Sequence, residues 1–447
     1  RRYIESMASE ALSLEGASQS EVGAVTALVS RAHEVVRGDV GDSSAVSLRD
    51  VKRFLKLLDW FKTNFPKLGT HIKRAQASKA ASIGQVSQKA RKEASPRLES
   101  KRDPIALSAL ATSTVLALAH VYYYRLSEEG NRSQFFQEMR ATLRAHWDSS
   151  LGASGWTDLS TAAGEEANGS WAWVAVLQFL QVKFAGGMNL EEGIALNAAL
   201  VENLFVVVVC ILNKIPVFVV GKPGSSKTLA MQVIQSNLRG VASPLAFWRR
   251  FPAIHIVQYQ CSPLSSAAAI QHQYDMAVSY HRHGKGGNKT VTVLLLDEVG
   301  LAEHSPLMPL KVLHTILVEE EVAVVGLSNW VLDPAKMNRA ILLQRPDASQ
   351  AEMANTGGTI VLEAGAAAAA AAAPKPSPNE GGAAEDTPAV VVAESVPSGL
   401  AAQLEPLARA YHEVYTDQGE RDFIGMRDYY SLLKLLRRSL LAGAAAA

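Results

Sequence analysis

Cysteine is scarce in this chain: two thiols, Cys210 and Cys261, among 447 residues. That is too few for a disulfide framework or a multi-zinc domain, and it fits a reduced, cytoplasmic setting. Charge of one sign is lacking too. Lys and Arg number 44 against 43 Asp and Glu, a formal net charge of +1, so no global basic excess points to nucleic acid. Long apolar runs are also missing. The longest are residues 105–119 (IALSALATSTVLALA) and 204–212 (LFVVVVCIL). Both fall short of the roughly 18–20 residues that span a bilayer, so buried core is expected and no transmembrane segment. The opening RRYIESMASEALSLEG has no apolar heart of a secretory signal, and a start at Arg1 rather than Met is expected of a fragment.

What remains is an ordinary globular composition, 48% hydrophobic, long enough for two or three domains of about 150 residues. Residues 1–66 read as helices. Val46, Val51, Phe54, Leu55, Leu58 and Phe61 recur at three- and four-residue spacing on one face, and Pro66 ends the element. Residues 67–170 form a linker and helical region. Its first part, 67–102, holds ten Lys and Arg against Glu93 and Glu99. It reads as a solvated linker, because a nucleic-acid strip would interleave aromatics for the bases to stack on. The stretch 105–147 returns to a helical pattern, and 148–170 is loop-like in its Gly, Ser and Asp.

From 171 to 350 short apolar runs alternate with helical segments. The runs are VFVV (217–220), IHIVQYQ (254–260), VTVLLLD (291–297) and VAVVGLSN (322–329). This alternation predicts an α/β subdomain, a parallel sheet with helices on both faces. Residues 351–400 are expected to be a disordered insert, since an alanine run at 366–373 leads into PKPSPNEGGAAEDTP. Residues 401–447 regain a helical period through Leu432, Leu433, Leu435, Leu436 and Leu440.

Three strand ends carry chemistry. After VFVV comes GKPGSSKT, the residues Gly221, Lys222, Pro223, Gly224, Ser225, Ser226, Lys227 and Thr228, opening a helix. Small residues let backbone N–H groups converge on phosphate oxygens, where the helix N-terminus also favours negative charge. Lys227 supplies a point charge to the β- and γ-phosphates of ATP, and Thr228 is a Mg²⁺ ligand. Ser226 stands where this pattern usually has glycine. The run VTVLLLDEVG ends in Asp297, a second Mg²⁺ ligand through its water shell, and Glu298, the base for an attacking water. An acidic turn closing a strand is the plain alternative. At the end of VVGLSNW, Asn329 falls beside the γ-phosphate or else simply closes a turn. The two histidines of HRHGKGGNK (281–289) are too few for a metal site.

These features together are those of the AAA+ class of P-loop ATPases, with helical lid subdomains. IPVFVVGKPGSSKTLA, LLLDEVGLAEHSPLMPLKVLHTIL, GLSNWVLDPAKMNRAILLQR and GMRDYYSLLKLL resemble an AAA+ module of the mysterin family of giant ring-finger ubiquitin ligases. GKPGSSK is that family's own version of the loop. The resemblance implies Asn329 as sensor 1, Arg339 as the arginine reaching a neighbour's nucleotide, and Arg427 as the sensor 2 arginine of the lid. Ion pairs of Arg339 with Asp333 and of Arg427 with Asp428 are the alternatives. It further implies neighbouring AAA+ modules in the same polypeptide and ubiquitin machinery as partners, with the ring finger itself elsewhere. Two features depart from the family pattern, a short segment between Leu317 and Val322 and the insert at 364–400. A binding-only structural module, and a motor of the dynein or midasin type without ubiquitin chemistry, stay open at this point.

SLRDVKRFLKLL (47–58) aligns without gaps on GMRDYYSLLKLL (425–436), with six of twelve positions identical. Residues 1–66 are therefore expected to be the lid of a preceding AAA+ module. Only Arg427 then serves the phosphate loop in this chain. Arg427→Ala is expected to weaken ATP binding by about 1.5–3 kcal/mol, the range of a hydrogen bond to a charged group. Arg49→Ala leaves it unchanged. Equal losses in calorimetric titrations would show that both helices serve one site.

Overall fold

The computed structural model describes residues 2–13, 16–41, 45–66, 107–160, 171–190, 194, 196–283, 290–303, 305–354, 356–358, 360–361, 398–418 and 424–446. The basic segment 67–102 and most of the expected insert lie outside these residues. The chain divides into two compact units. The sheet and the described residues up to Asn189 belong to the first, together with everything from Ala199 to Asp347. Leu190–Ala198 and the described residues from Ala348 onward make the second.

Among the described residues, the longer helices ahead of the sheet are α1 (Arg2–Ser13), α2 (Gln19–Val40), α3 (Leu48–Asn64), α4 (Ala109–Val121), α5 (Glu129–Ala145), α6 (Trp171–Gly186) and α7 (Ala198–Leu212). The starts of α2, α3 and α4 are set by serines. Ser18 with Glu21, and Ser47 with Asp50, close capping boxes that satisfy amides a helix start leaves unpaired. Helices α4 and α7, the two longest apolar runs of the sequence, are buried almost all round. Among the described residues no helix is long and apolar enough to cross a membrane. Phe61, His120, Phe184 and Phe205, from α3, α4, α6 and α7, form one aromatic cluster with ring centroids 4.8–6.3 Å apart.

The sheet has five strands, all parallel, in the order β2 (Ala253–Gln260), β3 (Thr290–Asp297), β4 (Ala323–Ser328), β1 (Val217–Val220), β5 (Ile341–Gln344). The four runs read from the sequence are four of these strands, to within one residue at each end. Strand β5 did not register as a strand, because four residues directly after a turn carry no period of their own. Its place is fixed by pairing, Val217 with Ile341 through Val220 with Gln344. Every residue of β1 and β4 is buried, as a sheet covered on both faces requires, whereas the edge strand β2 is half-exposed along its length. Gly326 of β4 packs under Phe218. A Cβ there would lie 2.4 Å from the ring, so only glycine fits.

Residues 1–66 pack in the same unit as the sheet. Asp50 is fully buried, 3.0 Å from Arg53 and 3.2 Å from Arg125. Arg53 also donates to the carbonyls of Asn338 and Ala340, each at 3.3 Å. The repeat keeps its capping geometry. Ser47 N–H donates to Asp50 at 2.8 Å, and Gly425 N–H donates to Asp428 at 2.9 Å. The environments differ, since Asp428 is exposed.

In the second unit the expected boundary at 351 needs correction. Residues 350–354, 356–358 and 360–361 are helical, and Met353, Ile360 and Val361 are buried against Leu404, Tyr429 and Leu433 of α11 (Ser398–Asp417) and α12 (Met426–Ala446). Composition dominated by the alanine run masked this apolar stripe, which only packing against α11 and α12 makes visible.

Two buried histidines tie stability to pH. Burial lowers His33, bonded to the Tyr122 hydroxyl at 3.0 Å, to about 4. It lowers His120, enclosed in the aromatic cluster, to about 4 as well. Both folded values lie below the ordinary 6.5, so the unfolded chain binds more protons between these pH values. The stabilisation is complete above pH 6.5 and is lost as pH falls toward 4, at most roughly 3 kcal/mol for each histidine. Thermal melts are expected to show a falling midpoint from pH 7 to pH 5, flattened in His120→Gln. An unchanged midpoint would remove both histidines from the account.

Candidate nucleotide-binding site

The candidate site gathers at the carboxyl ends of three adjacent strands. Gly221 N–H, just past β1, donates to the carbonyl of Ser328 at the end of β4 at 3.2 Å. On the other side, Arg345 N–H donates to Val220 at 2.8 Å. The loop is thus fixed where it begins. A Cβ on Gly221 would stand 2.8 Å from the Arg345 Cβ and 2.9 Å from the Ser225 hydroxyl, so this position excludes any larger residue.

The loop then turns through two left-handed residues, Gly224 at φ 90° and Ser226 at φ 58°, ψ 24°. Glycine is usual at the second position because it alone enters that region freely; for an L-residue it costs roughly 1–2 kcal/mol. Ser226 accepts that cost as the N-cap of α8 (Lys227–Asn237). Lys227 folds back over the loop. Its ammonium donates to the Gly221 carbonyl, to the Lys222 carbonyl at 3.1 Å and to the Ser225 hydroxyl at 3.2 Å. A cation thereby stands at the mouth of a loop that ends on a helix N-terminus, an arrangement that favours anions. Lys222, on the exposed side, pairs with Asp347 at 3.1 Å. Pro223 has no N–H to offer a ligand, and the side chain of Thr228 is exposed beside Lys227.

Asp297 ends β3 and is half-buried; Glu298 beside it is exposed, with left-handed backbone at φ 50°. Glu298 N–H donates to Asp297 Oδ1 at 3.0 Å. Gln260, paired with Asp297 in the sheet register, donates its side-chain amide to Glu298 Oε2 at 2.9 Å. The sequence did not single out Gln260. Its signal was a polar residue closing an apolar run, the same mark that drew attention to Asn329. Cys261 next to it is buried, and that burial, with Asp297 and Glu298 nearby, pushes its thiol up to about 12. Asn329 follows Ser328 directly and is half-buried. Helix α10 (Val299–Glu303) lies so close to this strand end that a Cβ on Gly300 would come within 2.7 Å of the Ser328 hydroxyl.

The two remaining arginines, Arg339 and Arg427, belong to different units. Arg339 donates to the carbonyls of Ala335 at 3.2 Å and His314 at 3.3 Å. Asp333, the alternative partner, is occupied by Ala335 N–H and lies 3.8 Å from Lys336. Arg427 belongs to the second unit, where it is exposed and Asp428 bonds to the backbone of Gly425.

Two residues of α7 behind the loop, Glu202 and Asn203, went unread in the sequence. Asn203 of α7 is fully buried and donates to the Ser225 carbonyl at 2.8 Å. Glu202 accepts from Arg132 at 3.1 Å and from Arg345. Burial pushes its carboxyl up, but Arg345 and Arg132 outweigh that and hold it below the usual range. Glu202 and Asn203 interrupt an otherwise apolar helix. That interruption was the available signal. Among the described residues no group of three or more His, Cys, Asp or Glu is placed to hold a metal ion. His281, near the end of α9 (Ala267–His283), faces Lys214 Nζ with its Nε2 at 2.9 Å.

Residues 193–352 match the family model described as the RNF213 AAA domain. The human E3 ubiquitin-protein ligase RNF213 is 30% identical over 444 residues, 97% of this chain and 7% of that protein. The zebrafish (Danio rerio) E3 ubiquitin-protein ligase rnf213-beta is 36% identical over 257 residues, 55% of this chain and 4% of that protein. The solved structure of C. elegans PCH-2 covers 60% of this chain and 69% of its own at 13% identity and a TM-score of 0.30. The chain thus spans less than a tenth of the curated relatives it matches. Mysterin is RNF213, so the motifs, the family model and the two sequence relatives converge: this chain carries an AAA+ module of the RNF213 family.

Proposed function

We propose that this module binds ATP with Mg²⁺ at Gly221–Thr228 and hydrolyses it. The observation that carries the reading is Lys227, an ammonium held across a glycine- and serine-lined loop at the head of α8. These protein acceptors are what phosphate oxygens would replace. Thr228 and Asp297 would hold Mg²⁺, whose positive charge, when bound, offsets charge developing on the transferred phosphoryl group. Glu298 orients and deprotonates water, and Asn329 orients it from the neighbouring strand. Arg427 reads the γ-phosphate from the lid, and Arg339 serves the nucleotide of an adjacent module. The larger polypeptide, on this proposal, is a cytoplasmic E3 ubiquitin ligase in which a ring of tandem modules moves or is gated by ATP.

Lys227→Ala is expected to abolish measurable ATP binding with the fold retained. Glu298→Gln keeps binding and lowers turnover by roughly 10²-fold or more, the scale of a lost general base. Normal binding in the first variant, by calorimetry, or normal turnover in the second would overturn these assignments.

A second reading, ATP as a structural ligand without turnover, draws on one observation: the Glu298 carboxylate is engaged by Gln260. If that bond restrains an active base, Gln260→Ala raises basal turnover about fivefold, the scale of one modest hydrogen bond, with ATP affinity unchanged. Turnover that stays at zero in this variant, with ATP bound, would favour the structural reading.

A further inference from the structure

We propose that Asn203 is the positioning residue that makes a serine workable at the glycine position of the phosphate loop. The inference rests on the nucleotide-site reading and deepens it. Its basis is the pairing of two observations that the loop motif alone does not connect.

The first is the backbone of Ser226, left-handed in a residue that enters that region unwillingly. The second is the bond from the Asn203 amide to the Ser225 carbonyl at 2.8 Å. A trans peptide is planar, so its C=O and N–H point in opposite directions. Holding the Ser225 carbonyl against α7 turns the Ser226 N–H away from that helix, toward the solvent-facing mouth of the loop. That is the orientation a phosphate-binding N–H needs. It is also the peptide plane that sets φ of Ser226. With glycine this plane would settle there unaided; with serine something must hold it.

Asn203 is poorly explained by stability alone. It is fully buried, and among the described residues its side-chain oxygen has no hydrogen-bond partner. A buried amide with half its capacity unused is costly, and an apolar residue of the same shape is often neutral or better. Its neighbours along α7, from Leu204 to Ile211, are all buried and almost all aliphatic. The one bond that Asn203 makes to the loop is therefore what distinguishes it from another leucine. Glu202, the adjacent residue, fixes Arg345, whose side chain packs against Gly221 at the other end of the loop.

The test uses the 447-residue chain, ATP with Mg²⁺ as the probe, and four proteins: native, Asn203→Leu, Ser226→Gly and the double variant. Asn203→Leu is expected to melt at or above the native temperature without nucleotide, yet to bind ATP about tenfold more weakly. Adding Ser226→Gly to it should recover most of that loss. Native affinity in Asn203→Leu, or an equal effect of Ser226→Gly with and without Asn203, would overturn the proposal. So would a loss of affinity that tracks a loss of melting temperature. Should the leucine variant not fold, Asn203→Ala is measured in the same cycle with the same criteria. Lys227→Ala in parallel separates the two ideas. If it still binds ATP, the nucleotide-site reading fails; if it does not and Asn203→Leu binds normally, only the positioning role fails.

Discussion

Strand β1 is hydrogen-bonded on both sides, to β4 and to β5, and the candidate site hangs from its carboxyl end. A four-residue strand has little freedom when both its edges are paired and all its side chains are buried. The peptide that follows is held again from both neighbours, Gly221 to Ser328 and Arg345 to Val220. The loop Gly221–Thr228 therefore starts from a fixed point. Its later turns can be strained, as Ser226 is, because the surroundings leave the chain no cheaper path.

Parallel pairing explains why the other groups lie where they do. In a parallel sheet all strand ends of one kind lie on one edge, with neighbouring strands about 4.8 Å apart. Asp297, Ser328 and Val220 are the last residues of adjacent strands, so Asp297, Asn329 and the loop are brought to one edge by topology alone. Gln260 joins them from β2 by the same rule. Ligands of open α/β sheets bind at this edge, where connections diverge to opposite faces.

Charge is handled differently in the interior. Asp50 with Arg53 and Arg125, and Glu202 with Arg132 and Arg345, are buried clusters in which one carboxylate serves two arginines. Removing one partner from such a cluster leaves a buried charge uncompensated, which is costly. Each cluster joins segments far apart in sequence. Arg53 reaches the carbonyls on either side of Arg339, and Arg345 lies against the first glycine of the loop. The helices before the sheet are tied to it by specific bonds, in addition to apolar packing.

The sequence by itself determined the strand runs, their parallel arrangement, the loop Gly221–Thr228, the paired carboxylates Asp297 and Glu298, and the family. These are local signals: a strand buried on both faces must be continuously apolar, and a phosphate loop must be small, glycine-rich and followed by a helix. Strand β5, the helical residues 350–354, 356–358 and 360–361, Gln260 and Asn203 were decided only by tertiary structure. ILLQ is too short to carry a period and is a strand because β1 pairs with it. Met353, Ile360 and Val361 form a core only because Leu404, Tyr429 and Leu433 arrive from a distant stretch. Gln260 and Asn203 matter through single hydrogen bonds to Glu298 and Ser225, 38 and 22 residues away. Nothing in an amide's own neighbourhood along the chain says which carbonyl or carboxylate it will meet; that is settled when the strands and helices close on one another.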